Sequence, residues 1–262
     1  MLEFSSLPLG TFELFLLIVG GFFGGLIDSI VGGGGLITVP VFLMILGPNA
    51  SAIGTNKVAA VAAQLAALVV YFRNAQVDVS RAWKFLLLTS IGAVVGARFA
   101  PLLPAGFFKW FLLVVAPVVL ILVFTRSFWT RPPDSSRHPR LALLGSFAAG
   151  FYDGIAGPGG GTLMFLSMFL LGGMPATIAM GTGKLANLGS ATFSLATYGL
   201  QGQIHWALGF VMAAPIALGA WLGARYSARH REEDQARKLA RTALLVVSVL
   251  LVARWLMLAT GH

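Results

Sequence analysis

The sequence contains no cysteine and few charged side chains. None of its 262 residues is cysteine, and Asp, Glu, Lys and Arg together make up 10%. The absence of cysteine excludes disulfides, thiolate-bound metals and thiol redox catalysis. A soluble domain carries about 25% charged residues, so this chain lacks the charge to cover its surface in water. The shortage of charge therefore argues against a soluble protein.

Recognisable catalytic motifs are also missing. No two of the four histidines have the spacing of a metal site: His138, His205, His230 and His262. Gly181 to Leu185 resembles the end of a phosphate-binding loop, but leucine stands at 185 where serine or threonine would hold magnesium. Neither a Gly-x-Ser-x-Gly elbow nor a Ser/His/Asp set is evident. We therefore expect no enzymatic activity, no cofactor and no bound metal.

Long apolar runs occupy most of the chain. Apolar residues make up 57% of it, and the longest runs lie at 58–72, 107–125, 206–224 and 242–259. Each approaches the roughly 20 residues that span a hydrocarbon core of about 30 Å. Because lipid offers no water to satisfy the backbone, helices are the expected spanning element. The sequence predicts an all-α integral membrane protein with the lipid bilayer as its solvent.

The net charge of +9 has a topological explanation. Most basic residues fall in two hydrophilic connections: Arg126, Arg131, Arg137, Arg140, Arg225, Arg229, Arg231, Arg237, Lys238 and Arg241. Clusters of this kind mark cytoplasmic loops under the positive-inside rule. We therefore expect no nucleic-acid partner.

The same motifs occur twice along the chain. Asp28 to Gly35 (DSIVGGGG) matches Asp153 to Gly160 (DGIAGPGG), and Gly54 to Lys57 (GTNK) matches Gly181 to Lys184 (GTGK). This ordered series predicts a duplication. The predicted divisions are 1–125 for the first membrane repeat, 126–140 for a cytoplasmic linker and 141–262 for the second membrane repeat.

Each repeat is predicted to hold one glycine-broken helical hairpin and three transmembrane helices. The hairpins cover about 10–46 and 141–171, and each second arm has about 11 residues, or half a membrane at 1.5 Å per residue. The predicted spans are 50–72, 82–103, 106–125, 177–199, 205–226 and 238–259. Because these short arms reach only half-way across, we expect the hairpins to be re-entrant. Irregular backbone at such a break must be lined by protein or a water-filled cavity. Fully crossing hairpins are the alternative, and the two repeats would still be antiparallel.

The linker sets the expected orientation. With 126–140 in the cytoplasm, 73–81 and 227–237 also lie inside, whereas 47–51 and 200–204 lie outside, as do both termini. The first hairpin then enters from outside and the second from the cytoplasm. Inverted repeats whose broken helices meet at the midplane recur among transporters.

The glycine breaks are candidate anion-binding elements. A helix that begins after such a break presents N–H groups and the positive end of its dipole, and both favour an anion. The candidate residues are Gly33, Gly34, Gly35, Gly159, Gly160 and Gly161. Close helix packing is the alternative use of glycine in a membrane protein.

Two lysines strengthen the anion-site hypothesis. Lys57 and Lys184 lie roughly 10 Å inside their predicted helices at 1.5 Å per residue, a depth at which an ionisable residue indicates a functional site. A negative group should compensate each lysine, either a bound anion or Asp28 and Asp153. A structural Lys–Asp pair and a lysine that extends to the interface are the alternatives. Further hydrogen-bonding candidates lie on the same helices: Thr55, Asn56, Thr182 and Asn187.

At these residues the chain resembles the sulfite exporter TauE/SafE family of membrane permeases. The resemblance rests on Gly25 to Pro40 followed by Gly54 to Lys57, and on a second copy in Gly150 to Gly161 followed by Gly181 to Lys184. It implies movement of small sulfur-containing or organic anions, such as sulfite or sulfoacetate, with coupling to protons. We expect a multi-pass protein of a cell membrane, the bacterial inner membrane.

The favoured hypothesis is a secondary transporter of a small anion. Lys57 and Lys184 would supply positive charge, the glycine breaks would supply N–H donors, and Asp28 or Asp153 would carry the coupling proton. The expected partners are the anion, protons and lipid, with a homodimer left open. The alternative is a non-transporting membrane scaffold or accessory subunit in which the glycines serve only packing.

Overall fold

The computed structural model describes residues 9–104, 106–108 and 138–229. Regular secondary structure in these ranges is helical, without strands. The helices are α1 Thr11–Val31, α2 Gly35–Leu46, α3 Ala50–Arg73, α4 Val79–Phe99, α5 Pro139–Ile155, α6 Gly160–Leu166, α7 Ala176–Leu200 and α8 Trp206–Arg229. A 3₁₀ turn at Ala100–Leu102 extends α4, and a π-helical turn at Ser167–Leu171 extends α6.

These bounds agree closely with the predicted segments that fall within the described ranges. The linker 126–140 (except 138–140), the predicted span 106–125 (except 106–108) and the whole of the span 238–259 lie outside the described residues, as do both termini. Within the described ranges, each half of the chain therefore contributes four helices, α1 to α4 and α5 to α8.

Among the described residues, four helices are long and apolar enough to cross a membrane: Thr11–Ile30, Ala50–Arg73, Val79–Leu102 and Trp206–Arg229. α7 is also long, at 25 residues, but it does not belong to this group because polar residues lower its hydropathy. Three of them, Lys184, Asn187 and Ser190, are buried against other helices. α7 therefore behaves as an inner helix that carries polar groups into the protein.

Glycine ends α1 and α5 and turns the chain back in both halves. Gly32 and Gly33 follow α1 with φ of 78° and 92°, and Gly157 and Gly159 follow α5 with φ of 87° and 81°. Side chains rarely adopt positive φ, so glycine is the residue that permits these breaks. α2 then packs antiparallel to α1, and α6 packs antiparallel to α5, which gives two helical hairpins.

A second set of glycines joins the two halves. α1 packs against α8 at positions where a Cβ on Gly25 would overlap the Ile216 carbonyl and one on Gly219 would overlap the Phe22 carbonyl. The pair α4 and α5 repeats this contact, where a Cβ on Gly96 would overlap the Phe151 carbonyl oxygen. Small residues let membrane helices approach this closely, so these glycines serve packing rather than the break.

The two innermost long helices, α3 and α7, run in opposite directions. Gly54 near the start of α3 touches Tyr198 near the end of α7, whereas Gly181 near the start of α7 touches Tyr71 near the end of α3. More generally, the helix contacts of one half recur in the other: α1–α8 with α4–α5, α3–α8 with α4–α7, α1–α2 with α5–α6, and α2–α3 with α6–α7. This arrangement brings the lysines of α3 and α7 to the ends of α5 and α1.

Candidate functional site

Lys57 of the first half pairs with Asp153 of the second. Its ammonium nitrogen lies 2.8 Å from Asp153 Oδ2, and the two side chains are 1% and 7% exposed. The same nitrogen donates to the Asp153 carbonyl oxygen at 2.6 Å. This carbonyl belongs to the last turn of α5, where the negative end of the helix dipole favours a cation. Lys57 is therefore held by both the side chain and the backbone of the opposite half.

Lys184 and Asp28 repeat this arrangement with the halves exchanged. The Lys184 ammonium donates to the Asp28 carbonyl oxygen at 2.7 Å and also contacts Asp28 Oδ2. The negative groups expected beside the lysines are thus the two aspartates, each supplied by the other half. The two lysines and two aspartates balance in charge.

Two polar side chains support the carboxylates. Gln64 Nε2 donates to Asp28 Oδ2 at 3.0 Å, and Ser190 Oγ donates to Asp153 Oδ2 at 2.6 Å. Sequence reasoning missed both residues. For Gln64 the available signal is its spacing, since it follows Lys57 by seven residues, about two helical turns, and so shares the face of that lysine. Ser190 follows Lys184 by six residues and lies on a different face, so the sequence offered no such signal for it.

Two tyrosines stabilise the carbonyls next to the ion pairs. Tyr71 donates its hydroxyl to the Ser29 carbonyl at 2.6 Å, and Tyr198 donates to the Gly154 carbonyl at 2.7 Å. In the sequence these tyrosines stand out only as matching positions of the repeat. In the structure they satisfy carbonyls in the last turns of α1 and α5, one residue beyond the carbonyls that the lysines use.

The tips of the two hairpins touch each other. A Cβ on Gly35 would lie 3.1 Å from the Pro158 Cα, and one on Gly32 would lie 2.9 Å from the Thr162 hydroxyl. The predicted meeting of the glycine breaks is therefore present as a direct contact. The absence of a side chain at Gly32 and Gly35 leaves room for Thr162 and Pro158 of the other tip.

A cavity of about 40 Å³ lies at this contact. Its lining includes Lys57, both aspartates and Gln64, and it also includes most of the predicted site residues: Gly33, Gly34, Gly35, Gly159, Gly161, Asn56 and Asn187. Gly34 donates its N–H to Asp28 Oδ1 at 3.1 Å. Gly160 is not part of the lining, because its Cα packs directly on Asp153, where a Cβ would lie 2.5 Å from Oδ1.

A smaller cavity of about 10 Å³ lies beside the second lysine. Lys184, Asn187 and Gly161 line it together with the large side chains of Phe165 and Met180. The cavities therefore differ in volume although their lysine pairs are alike. Asn187 contributes to both.

The two predicted threonines have a different role from the lysines. The Thr55 hydroxyl oxygen accepts from the His205 N–H at 3.0 Å, and the Thr182 hydroxyl oxygen accepts from the Asp78 N–H at 3.0 Å. Neither residue lines the two cavities. They anchor the connections between α7 and α8 and between α3 and α4.

Among the described residues there is no cluster of three or more His, Asp or Glu side chains that could hold a metal ion. The chemistry available at the hairpin tips is therefore that of ion pairs, amides and backbone groups. Such an arrangement can exchange a carboxylate for another anion at a lysine.

Known families and proteins match nearly the whole chain. A family model described as Sulfite exporter TauE/SafE matches residues 17–251. A "Probable membrane transporter protein" of Haemophilus influenzae is 34% identical over 95% of this chain and 96% of its own length. "Probable membrane transporter protein ORF9" of a Sinorhizobium species is 31% identical over 93% and 92%. "Probable membrane transporter protein YfcA" of Escherichia coli is 30% identical over 88% and 85%. No solved structure matches the chain.

Proposed function

The chain belongs to the sulfite exporter TauE/SafE family, and from this premise we propose that it is a proton-coupled secondary transporter of a small anion. The family and the relatives indicate a membrane transporter rather than an enzyme. The proposed substrate is sulfite or a sulfur-containing organic anion such as sulfoacetate, and the proposed location is the inner membrane of a bacterium. The observation that carries the proposal is the pair of buried Lys–Asp contacts exchanged between the halves.

The two halves are proposed to be inverted repeats with re-entrant hairpins. The opposite directions of α3 and α7 and the recurrence of helix contacts between the halves support this arrangement. The first hairpin would enter from outside and the second from the cytoplasm, so that their tips meet near the midplane. Both termini would lie outside.

The proposed coupling follows from charge balance at Lys57. With Asp153 ionised, the lysine already has a counter-ion, and an added anion would bring an uncompensated negative charge into a buried site. With Asp153 protonated, the lysine would have no counter-ion, and a buried unpaired charge is strongly unfavourable. A bound anion would then supply the missing counter-ion. Proton and anion therefore favour each other's binding, which is the thermodynamic requirement for coupled transport.

Lys184 and Asp28 are proposed to perform the same exchange in the opposite conformation. In alternating access, one repeat moves against the other around a fixed site. Because the larger cavity lies beside Lys57 and the smaller one beside Lys184, the structure fits a state in which the Lys57 side is the more open. Movement of the hairpins past each other would exchange these roles.

The test is uptake of labelled sulfite by proteoliposomes that contain the full chain. We expect wild type to accumulate sulfite when a proton gradient is imposed, and Lys57→Ala and Lys184→Ala to lose most of this uptake. Lys84→Ala removes an exposed lysine and serves as the matched control. Folded lysine variants that transport like wild type would contradict the site, and a wild type without anion flux would favour the scaffold alternative.

Topology is tested separately by labelling. Because the chain has no cysteine, Pro48→Cys and Asn74→Cys each introduce a single thiol at an exposed position. An impermeant maleimide should label position 48 from outside and position 74 from the cytoplasm. Labelling of both positions from the same side would contradict the inverted arrangement.

A further inference from the structure

Asn187 carries a buried amide without a hydrogen-bond partner. It lies on α7, nearly one helical turn after Lys184, and is 7% exposed. No described residue forms a hydrogen bond with its side chain, and neither of its polar atoms is among those that protein encloses fully. Buried polar side chains normally have a hydrogen-bond partner. The fold therefore leaves a buried polar group open to a ligand.

This amide lies where the two cavities adjoin. Asn187 and Gly161 line both the cavity of about 40 Å³ beside Lys57 and the cavity of about 10 Å³ beside Lys184. The two residues touch, since a Cβ on Gly161 would lie 2.9 Å from Asn187 Nδ2. The contact between α7 and the first turn of α6 therefore separates the spaces beside the two lysines.

We propose that Asn187 donates a hydrogen bond to the transported anion between the two lysines. The anion accepts from the Nδ2 group, while Lys57 or Lys184 supplies the positive charge. An asparagine amide has two N–H donors, and because no bond to the described residues fixes it, the amide can turn these donors towards either cavity. The proposal rests on the proposed transport function and adds a neutral ligand that both conformations share.

The cavity volumes place the anion on one side of Asn187 in this conformation. The larger cavity has room for about three water molecules at roughly 10–15 Å³ each, and the smaller has room for about one. A small oxyanion with a single central atom therefore fits beside Lys57 but not beside Lys184. Its transfer to Lys184 requires the Asn187 side chain to move away from Gly161.

Charge favours an anion over a cation beside this amide. The two lysines and the two aspartates around the cavities balance, so protonation of either aspartate leaves one ammonium group without a counter-ion. An anion beside Asn187 restores the balance, whereas a cation adds to the excess of positive charge. The amide therefore serves its ligand through its N–H groups rather than through its oxygen.

The repeat supplies this amide once. Ala60 stands on α3 where Asn187 stands on α7, and Ala60 lines the larger cavity but not the smaller one. The Lys–Asp pairs, in contrast, occur in both halves. A ligand on the boundary between the cavities is needed only once, whereas each ion pair is needed on its own side.

Asn187→Ala removes the proposed ligand without breaking a hydrogen bond to the described residues. Binding of sulfite to the purified full chain in detergent would be measured by calorimetry and by the shift in melting temperature. We expect the affinity to fall at least tenfold, as loss of one hydrogen bond to a charged group would give. The melting temperature of the sulfite-free variant should stay near that of wild type. A purely structural role for the amide would instead lower that melting temperature and leave the affinity unchanged.

Gly161→Ala perturbs the same contact from α6. Its methyl group would lie 2.9 Å from Asn187 Nδ2, so the amide must move, whereas the helical backbone accepts alanine. We expect sulfite affinity and sulfite uptake by proteoliposomes to fall several-fold. Added to Asn187→Ala, the change should cause no further loss, because the methyl group acts through the amide. Gly199→Ala on α7, where a Cβ would lie 3.5 Å or more from its neighbours, is the matched control and should change neither quantity.

The results that overturn the inference differ in their consequences. Wild-type affinity in Asn187→Ala, or a fold that is lost with this amide, rejects Asn187 as a ligand and leaves anion transport standing if Lys57→Ala still lacks uptake. Additive losses in the double variant reject the role of the Gly161 contact. Absence of sulfite binding and of sulfite flux in wild type rejects the proposed function and this inference with it.

Discussion

Simultaneous removal of both charges at the Lys57–Asp153 pair should restore stability without restoring transport. At 2.8 Å, the attraction between the two charges is about 6 kcal/mol at an effective dielectric constant of about 20. Burial of each ion costs several kcal/mol, so the intact pair is close to neutral in its net effect on folding. Removal of one partner leaves the other charge buried and uncompensated.

The single variants should therefore be much less stable than the double variant. We expect Lys57→Met and Asp153→Asn each to lower the free energy of unfolding by about 3–5 kcal/mol. The double variant should lie within about 1 kcal/mol of wild type, because the asparagine can still accept from Ser190 and no ion remains. The two changes would then show a coupling energy of several kcal/mol, whereas distant sites behave additively.

Two assays separate the structural from the functional role of this pair. Unfolding of the purified protein by SDS in mixed micelles measures the stability of all four forms, and proteoliposomes measure sulfite uptake. The double variant should be folded and inactive, because it has neither the ammonium nor the carboxylate. Additive destabilisation would refute the assigned pair, and a stable double variant that transports sulfite under a proton gradient would refute its role in coupling.

Three further changes test other parts of the structure. Ala60→Leu should fill the larger cavity and lower uptake at least tenfold while the ion pairs persist, whereas Ala196→Leu on the exposed side of α7 should transport normally. Gly96→Ala should destabilise the α4–α5 contact by about 1–3 kcal/mol through overpacking. Gly106→Ala, where a Cβ meets no atom of the described residues within 4 Å, should leave the melting temperature unchanged. Thr182→Val should remove the acceptor of the Asp78 N–H and cost about 1 kcal/mol, measured as unfolding in SDS, with unchanged affinity for the transported anion.

The helices and the glycine breaks were largely predictable because each depends on a short stretch of sequence. Apolar runs and glycine breaks gave the helix bounds of the described ranges to within a few residues, since spanning length and positive φ are properties of short segments. The depth of Lys57 and Lys184 also required only helical rise. Their need for a negative partner followed from burial alone.

The crossed pairing was not predictable from such signals. Lys57 is closer in sequence to Asp28 than to Asp153, and only the packing of α3 and α7 against the opposite hairpins selects the distant aspartate. Thr55 lies two residues before Lys57 and was therefore a candidate for the site, yet its hydroxyl accepts from the connection before α8. The type of a residue and its depth in its helix do not determine which neighbour its side chain contacts.

Similarity and difference between the halves have separate consequences at the site. The Lys–Asp pairs and the tyrosines match in both halves, as expected if each half must exchange a carboxylate for an anion in turn. Gln64 and Asn56 have no polar counterpart, since alanine and glycine replace them at Ala191 and Gly183. A change at Gln64 removes a hydrogen-bond donor from Asp28 but from no group of the Lys57–Asp153 pair. The polar groups around the ion pairs can therefore differ between the halves while the Lys–Asp pairs themselves are the same.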